Sequence, residues 1–263
     1  MKGLDLKKRL HGGEHVYGTW SASTDPLVAA TVAQAGFDWM RIDMEHSPRN
    51  VESLRYILWM VRETPTVAMV RVKDNRPDEI KQALDNGADG VVVPLIESVE
   101  DARRAVAGCK YPPDGVRGYG PFMPSFGGDD RAYQSTANDE TLVFIQVEHY
   151  RAVDVIEEIA ALEGVDGFII GPNDLTLSMD IFGAWESETF ISTIQRIVRA
   201  GDANGVPAGF PVDVLGGAEA GIAWVKEYAP TLRLLTIGGD LGFVSAGAEA
   251  ALNQLRDPEK LRD

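Results

Sequence analysis

Cysteine is nearly absent from this 263-residue chain, where Cys109 stands alone. One thiol cannot form an internal disulfide, so nothing in the fold calls for an oxidising compartment. With no second Cys and no metal-type spacing beside it, Cys109 reads as an inert helix-end residue. Cations are scarce too: Lys and Arg number 25 against 40 Asp and Glu, a net charge of −15. That balance argues against nucleic acid or an anionic membrane as a partner. It leaves small acidic substrates open, because a few local cations can still collect them. No apolar run approaches the roughly 18 residues that a membrane span needs. The first ten residues are rich in charge and unlike a secretory signal, so the expectation is a cytoplasmic protein. No Gly-x-Gly-x-x-Gly follows the first strand-like run, which weakens a dinucleotide-binding reading, and no P-loop motif occurs.

What is present is an ordinary globular composition, 44% hydrophobic and 25% charged, enough for a real core. Short β-rich runs alternate with helical stretches from end to end. Strands are predicted at Val16 to Trp20, Phe37 to Asp43, Thr66 to Val72, Gly90 to Leu95, Leu142 to Glu148, Val165 to Ile170, Val206 to Phe210 and Leu232 to Ile237. Helices are predicted at Pro26 to Ala35, Val51 to Arg62, Pro77 to Asn86, Val99 to Ala107, Ala152 to Leu162, Thr189 to Ala203, Val214 to Ala220 and Leu241 to Leu255. A Gly/Pro-rich stretch from Tyr111 to about Asn138, and the segment after Ile170, read as loops. The strands are apolar throughout rather than alternating, as when both faces are covered. Eight strand–helix units in this length predict an α/β fold, a (β/α)8 TIM barrel. It is read as a single domain over 1–263, with a doubly wound open sheet as the runner-up.

In such a barrel, reactive groups gather where strands end and the following loops begin. Glu148 ends one apolar run and Asp174 follows the next, so adjacent parallel strands would bring two hard oxygen ligands to one sheet end. Magnesium or manganese suits such a pair, although each acid could equally cap a helix. His149 is a poorer ligand, since it should face the other way. Asp43 and His46 follow the second strand, and a histidine titrating near neutral pH suits proton transfer. Arg71 sits inside an apolar run, so it meets either a neighbouring acid or the charge of a substrate. Gly171-Pro172-Asn173-Asp174 turns a strand into a helix whose N–H groups can hold a carboxylate. Gly238-Gly239-Asp240 is either an anion-binding turn or an ordinary tight loop.

These stretches, together with Ala35-Gly36-Phe37-Asp38, Leu84-Asp85-Asn86-Gly87-Ala88, Tyr111 through Gly118 and Gln146-Val147-Glu148, resemble the metal-dependent class II pyruvate aldolases. The similarity is to the 4-hydroxy-2-oxoheptanedioate and 2-keto-3-deoxy-sugar-acid aldolase family and covers nearly the whole chain. The resemblance implies a barrel with a swapped C-terminal helix and a homo-oligomer, a hexamer built as a trimer of dimers. It implies Mg2+ or Mn2+ on Glu148 and Asp174, chelated by pyruvate, and His46 as the base, acting through a metal-held water with Asp43 orienting it. Arg71 would stabilise the enolate oxygen, and Asp85 would reach His46 of a neighbouring copy. Gln146 and the backbone of Gly171, Pro172 and Asn173 would complete the pyruvate site. The partners implied are a small keto acid and an aldehyde. The chain departs from the family pattern at His149, at Gly120 to Tyr133, a loop expected at the aldehyde end, and at Gly209 to Val212. A lyase acting on a hydroxyacyl-CoA thioester and a non-catalytic keto-acid-binding protein are the rival readings. A Schiff-base aldolase would need Lys73.

Overall fold

The structure is a computed structural model and describes residues 2–256. After helix α1 (Lys2–His11) the chain enters a strand–helix alternation: β1 (Val16–Ser21), α2 (Pro26–Ala33), β2 (Trp39–Asp43), α3 (Val51–Arg62), β3 (Val67–Arg71), α4 (Pro77–Asp85), β4 (Gly90–Val93) and α5 (Val99–Cys109). It continues through α6 (Asp130–Glu140), β5 (Leu142–Val147), α7 (Tyr150–Asp154), α8 (Ile156–Ala160), β6 (Gly167–Ile170), α9 (Pro172–Ser178) and α10 (Glu188–Asn204). β7 (Ala208–Pro211), a 3₁₀ turn (Val212–Leu215), α11 (Ala218–Tyr228), β8 (Leu234–Gly239) and α12 (Asp240–Arg256) complete it. All neighbouring strands pair in parallel in sequence order and β8 returns to β1, so the sheet closes into the barrel predicted from the alternation.

Local chemistry sets the helix ends. Asp25 accepts from the Leu27 N–H and Pro26 opens α2, while Asn50 and Ser53 form a reciprocal capping box on α3. α10 ends on Gly205 at φ 69°, a left-handed conformation that costs glycine little. The predicted helix over 152–162 is instead two short helices, α7 and α8. The helix predicted at Val214 to Ala220 begins later: the left-handed pair Gly216-Gly217 separates the 3₁₀ turn from α11. α1 and α6 fall where a loop was expected or nothing was assigned, and α9 begins where Gly171-Pro172-Asn173-Asp174 was expected to turn a strand into a helix.

Because strand side chains alternate, one parity of residues faces the barrel interior. At the N-terminal ends of the strands that interior is apolar. Val16, Trp39, Val67, Met69, Val92, Leu142, Phe144, Ile169 and Leu234 pack in one cluster, and Leu6 and Leu10 of α1 plug it. Following the same parity toward the C-terminal ends, the interior turns charged: Trp39 gives way to Arg41 and Asp43, Met69 to Arg71, and Phe144 to Gln146 and Glu148. The apolar layer is the floor on which the polar mouth rests. A second cluster between sheet and helices covers the outer face, including Ile42, Val70, Ile145, Phe168 and Phe210.

α12 differs from every other long helix. Asp240 is buried, but residues 241–256 are exposed throughout, including Leu241, Val244, Leu252 and Leu255. Among the described residues, no helix is long and apolar enough to cross a membrane.

Candidate active site

Register brings the charged ends together. Asp43 on β2 lies opposite Arg71 on β3. The Arg71 guanidinium forks onto Asp43, Nε donating at 2.9 Å and Nη2 at 2.7 Å, and its Nη1 lies 3.1 Å from Glu45 Oε2. All of this is buried or half-buried, so the pair exchanges water for ideal bidentate geometry. Burial works to raise the Asp43 carboxyl, but the Arg71 hydrogen bonds and charge outweigh it and hold the group below its ordinary value. Glu45 goes the other way: burial raises it, Arg71 opposes, and the nearby Glu148 charge adds to the rise.

Asp43 Oδ1 also accepts from the backbone N–H groups of Glu45 and His46. It therefore shapes the loop that carries His46 rather than holding the ring. The exposed ring has Glu45 as its acidic neighbour, Nε2 to Oε2 at 3.7 Å.

Across the barrel, Glu148 is buried just past β5. Its Oε1 accepts from the Leu95 N–H at 2.8 Å, and its Oε2 accepts from Gln146 Nε2. Leu95 donates from a left-handed backbone at φ 59°, a conformation that costs a non-glycine residue on the order of 1–3 kcal/mol. That strained N–H fixes where the Glu148 carboxylate points. Gly171, capping α9, packs on the other side: a Cβ there would meet Glu148 Cβ at 2.9 Å and Oε2 at 3.3 Å. Asp174 lies exposed in the first turn of α9, the helix that follows β6, the strand paired with Glu148's β5. The N–H groups of Asn173 and Asp174 begin that helix with no intrahelical acceptor of their own.

One residue of this site was not among the sequence candidates. Arg41, 3% exposed, stacks on Trp20 with Cζ 3.4 Å from the ring centroid, and its Nη1 donates to Gln146 Oε1 at 3.4 Å. Its Nε and Nη2 are buried without a partner. Burial first, then Arg71, push its pKa down to about 9, against the pull of Asp43, Glu45 and Glu148. The available signal was parity: Arg41 is two positions before Asp43 on the same strand face.

The profile of the HpcH/HpaI aldolase/citrate lyase family matches residues 16–218. The chain belongs to that family. A hydroxypyruvate/pyruvate aldolase of Roseovarius nubinhibens is 38% identical over 209 residues, 77% of this chain and 81% of that protein. A 5-keto-4-deoxy-D-glucarate aldolase of Salmonella arizonae is 34% identical over 233 residues, 88% of this chain and 89% of that one. The crystal structure of an HpcH/HpaI aldolase/citrate lyase family protein from Burkholderia cenocepacia J2315 superposes with a TM-score of 0.87. It is 34% identical and covers 96% of this chain and 99% of that one.

Within this family member, not every sequence candidate reaches the same barrel end. Asp85 closes α4, and a helix that returns antiparallel to its strand ends beside the strand N-termini, away from His46 of the same chain. There Asp85 accepts from Arg117 Nη2 at 2.8 Å, and the Arg117 side chain is fully buried. The Gly120–Tyr133 segment lies at that far end too, Met123 bonding to Asp85 and Arg62. It therefore forms no part of its own chain's mouth, contrary to the expectation of an aldehyde-end loop. His149 turns away from the site and caps α7, its Nδ1 accepting from the Arg151 N–H. The Gly238-Gly239-Asp240 turn is not a loop, because α12 starts directly where β8 stops. Asp240 is consumed by Ser21 Oγ and the N–H groups of Ala22, Ser23 and Leu241.

Proposed function

We propose that the mouth of this barrel turns pyruvate into a nucleophile, and that Glu148 and Asp174 would hold a divalent cation there. The reaction is reversible aldol cleavage of a 4-hydroxy-2-oxo acid to pyruvate and an aldehyde. The observation that supports this most is Glu148: a buried carboxylate at a barrel strand end, fixed by a strained N–H and an amide, facing a helix start. Two hard carboxylates fit Mg2+ or Mn2+, which take one or two protein ligands and fill the rest from water and substrate. Bound there, the cation would supply Lewis-acid stabilisation of the charge developing on the keto oxygen.

The chain's own residues do the rest. The free N–H groups of Asn173 and Asp174 at the start of α9 receive the substrate carboxylate, and Gly171 and Pro172 shape the backbone it packs against. Gln146 presents its amide beside the keto group, its orientation fixed by Arg41 on one side and Glu148 on the other. Arg71, already positioned by Asp43, places a permanent cation where enolate charge appears. His46 is the base, and Glu45 steadies its ring. In the cleavage direction the C4 hydroxyl loses its proton, the C3–C4 bond breaks, the aldehyde departs, and C3 of the pyruvate enolate is reprotonated.

Asp85, held by buried Arg117 at the opposite end of the barrel, serves the His46 of a second copy. The exposed apolar side chains of α12 support an assembly, a trimer of dimers, in which that helix is exchanged between copies. A single catalytic domain and a cytoplasmic setting belong to the same reading. The second is supported by the single cysteine, Cys109, which can form no internal disulfide.

Exchange of pyruvate methyl protons in D2O, followed by NMR with Mg2+, tests this directly. The wild-type protein should exchange them, EDTA should stop it, and His46→Ala should slow it by ~10²–10⁴-fold, the usual size of an acid–base contribution. Exchange at the parental rate in His46→Ala would place the base elsewhere.

A further inference from the structure

The loop that carries His46 leaves β2 at Asp43 and ends at Asn50, the cap of α3. The His46 side chain is 64% exposed, so packing around the ring does little to fix it. Its place is set by the loop backbone. We propose that Arg49 is the positioning residue for His46, closing the Asp43–Arg49 loop on itself and stapling it to the end of β1. The proposal rests on the reading of His46 as the base and adds the group that holds the base in place.

A guanidinium carries five N–H groups in a rigid fork. Arg49, 3% exposed, makes five hydrogen bonds with its own. Nε donates to the Ser23 carbonyl at 3.1 Å. Nη1 donates to the carbonyls of Asp43, at 3.1 Å, and Ser21. Nη2 donates to Ser21 Oγ at 2.6 Å and to the Ser23 carbonyl. None of these acceptors is a carboxylate, so the side chain is spent on tying backbone segments together. Burial pushes its pKa down to about 10, with Asp240 and Asp43 pulling the other way, so it is a cation throughout the neutral range.

The bond to the Asp43 carbonyl closes the loop, and Ser47 Oγ donates to the same oxygen. The Asp43 carboxylate meanwhile accepts from the N–H groups of Glu45 and His46. Asp43 thus grips the loop by its side chain, and Arg49 grips Asp43 by its carbonyl. The other four bonds reach the exit of β1. That exit is itself pinned: Ser21 Oγ donates to Asp240 Oδ2 at 3.0 Å, and Asp240 also accepts from the N–H groups of Ala22 and Ser23. One side chain therefore fixes the base's loop against the ends of β1 and β8.

Pyruvate methyl exchange and the ring signals of His11, His15, His46 and His149 should be followed by NMR in wild type, Arg49→Leu, Arg49→Lys and Ser21→Ala. Arg49→Leu should lower kcat for exchange about 10²-fold, the cost of a misplacement near 1 Å. KM for pyruvate should stay within about two-fold, since Arg49 touches none of the groups assigned to bind it. Only the His46 signals should shift or broaden, where a general loss of structure would disturb all four rings. Lysine brings three donors on one nitrogen, so Arg49→Lys should restore part of the rate and no more. Ser21→Ala, which keeps the other four bonds, should cost about ten-fold. Should the Arg49→Leu chain fail to fold by circular dichroism, Ser21→Ala decides, and an unchanged rate with unmoved His46 signals overturns the proposal. A KM effect exceeding the kcat effect, unmoved His46 signals in Arg49→Leu, or equal disturbance of all four histidines would also overturn it. The two readings fail separately. Normal wild-type exchange with an indifferent His46 ring sinks the role of Arg49 alone. No wild-type exchange, with His46 still moved by Arg49→Leu, sinks the pyruvate reading and leaves Arg49 as the residue that places the loop.

Discussion

Arg41 is a buried cation held at a cost. It has lost its water, two of its nitrogens have no acceptor, and a second guanidinium, Arg71, lies nearby. Replacing buried ions by apolar groups of similar size is often stabilising, by roughly 1–4 kcal/mol. Arg41→Met should therefore melt higher than wild type at neutral pH, by about 2–4 °C per kcal/mol in a chain of this size. The pH dependence has a definite sign. The folded-state pKa is about 9, well below the ordinary arginine value, so the unfolded chain binds the proton more tightly. The penalty is complete below pH 9 and shrinks as pH rises above it, so the advantage of the variant should narrow on the alkaline side of pH 9. Calorimetric melting at several pH values checks this, and a lower melting point for Arg41→Met would mean that Trp20 and Gln146 repay the charge. Turnover should fall, because Gln146 loses the group that orients it.

At the scale of elements, the β6–α9 junction carries the heaviest demand. Gly171 lets helix α9 start within touching distance of Glu148. Gly171→Ala should displace that carboxylate and reduce pyruvate exchange by about 10²-fold, the cost of a misplacement near 1 Å, while the chain still folds. Full exchange in this variant would show that Glu148 has room to spare. The strands were legible in the sequence because both faces of each are covered, which makes them continuous apolar runs. Glu148 and Arg71 were legible because a charge at the end of such a run has few structural reasons to be there. α1 was missed because Lys7, Lys8 and Arg9 mask Leu6 and Leu10, the two residues that plug the barrel. α6 was hidden behind the glycines and prolines that precede it. The Asp43–Arg71 fork and the Arg41–Trp20 stack depend on strand register across the barrel, which no local pattern encodes.

At the scale of the whole molecule, one chain has a site and a helix that both look unfinished. Asp85 and its buried partner Arg117 point away from the mouth they would serve, and α12 leaves Leu241, Val244, Leu252 and Leu255 in solvent. An apolar helix face this exposed is what the proposed exchange of α12 between copies would cover. Light scattering should give a mass near six times the 28.6 kDa of the chain, and Leu252→Glu with Leu255→Glu should yield smaller species with weakened activity. A fully active species of one chain's mass would exclude any role for Asp85 across an interface.

The account stands or falls on two carboxylates sharing one cation. Titration with Mn2+ followed by electron paramagnetic resonance reads this without any turnover. The account predicts one tightly held ion per wild-type chain in the presence of pyruvate, and its loss in both Glu148→Gln and Asp174→Asn while the fold persists by circular dichroism. Undiminished Mn2+ binding in either variant would contradict it.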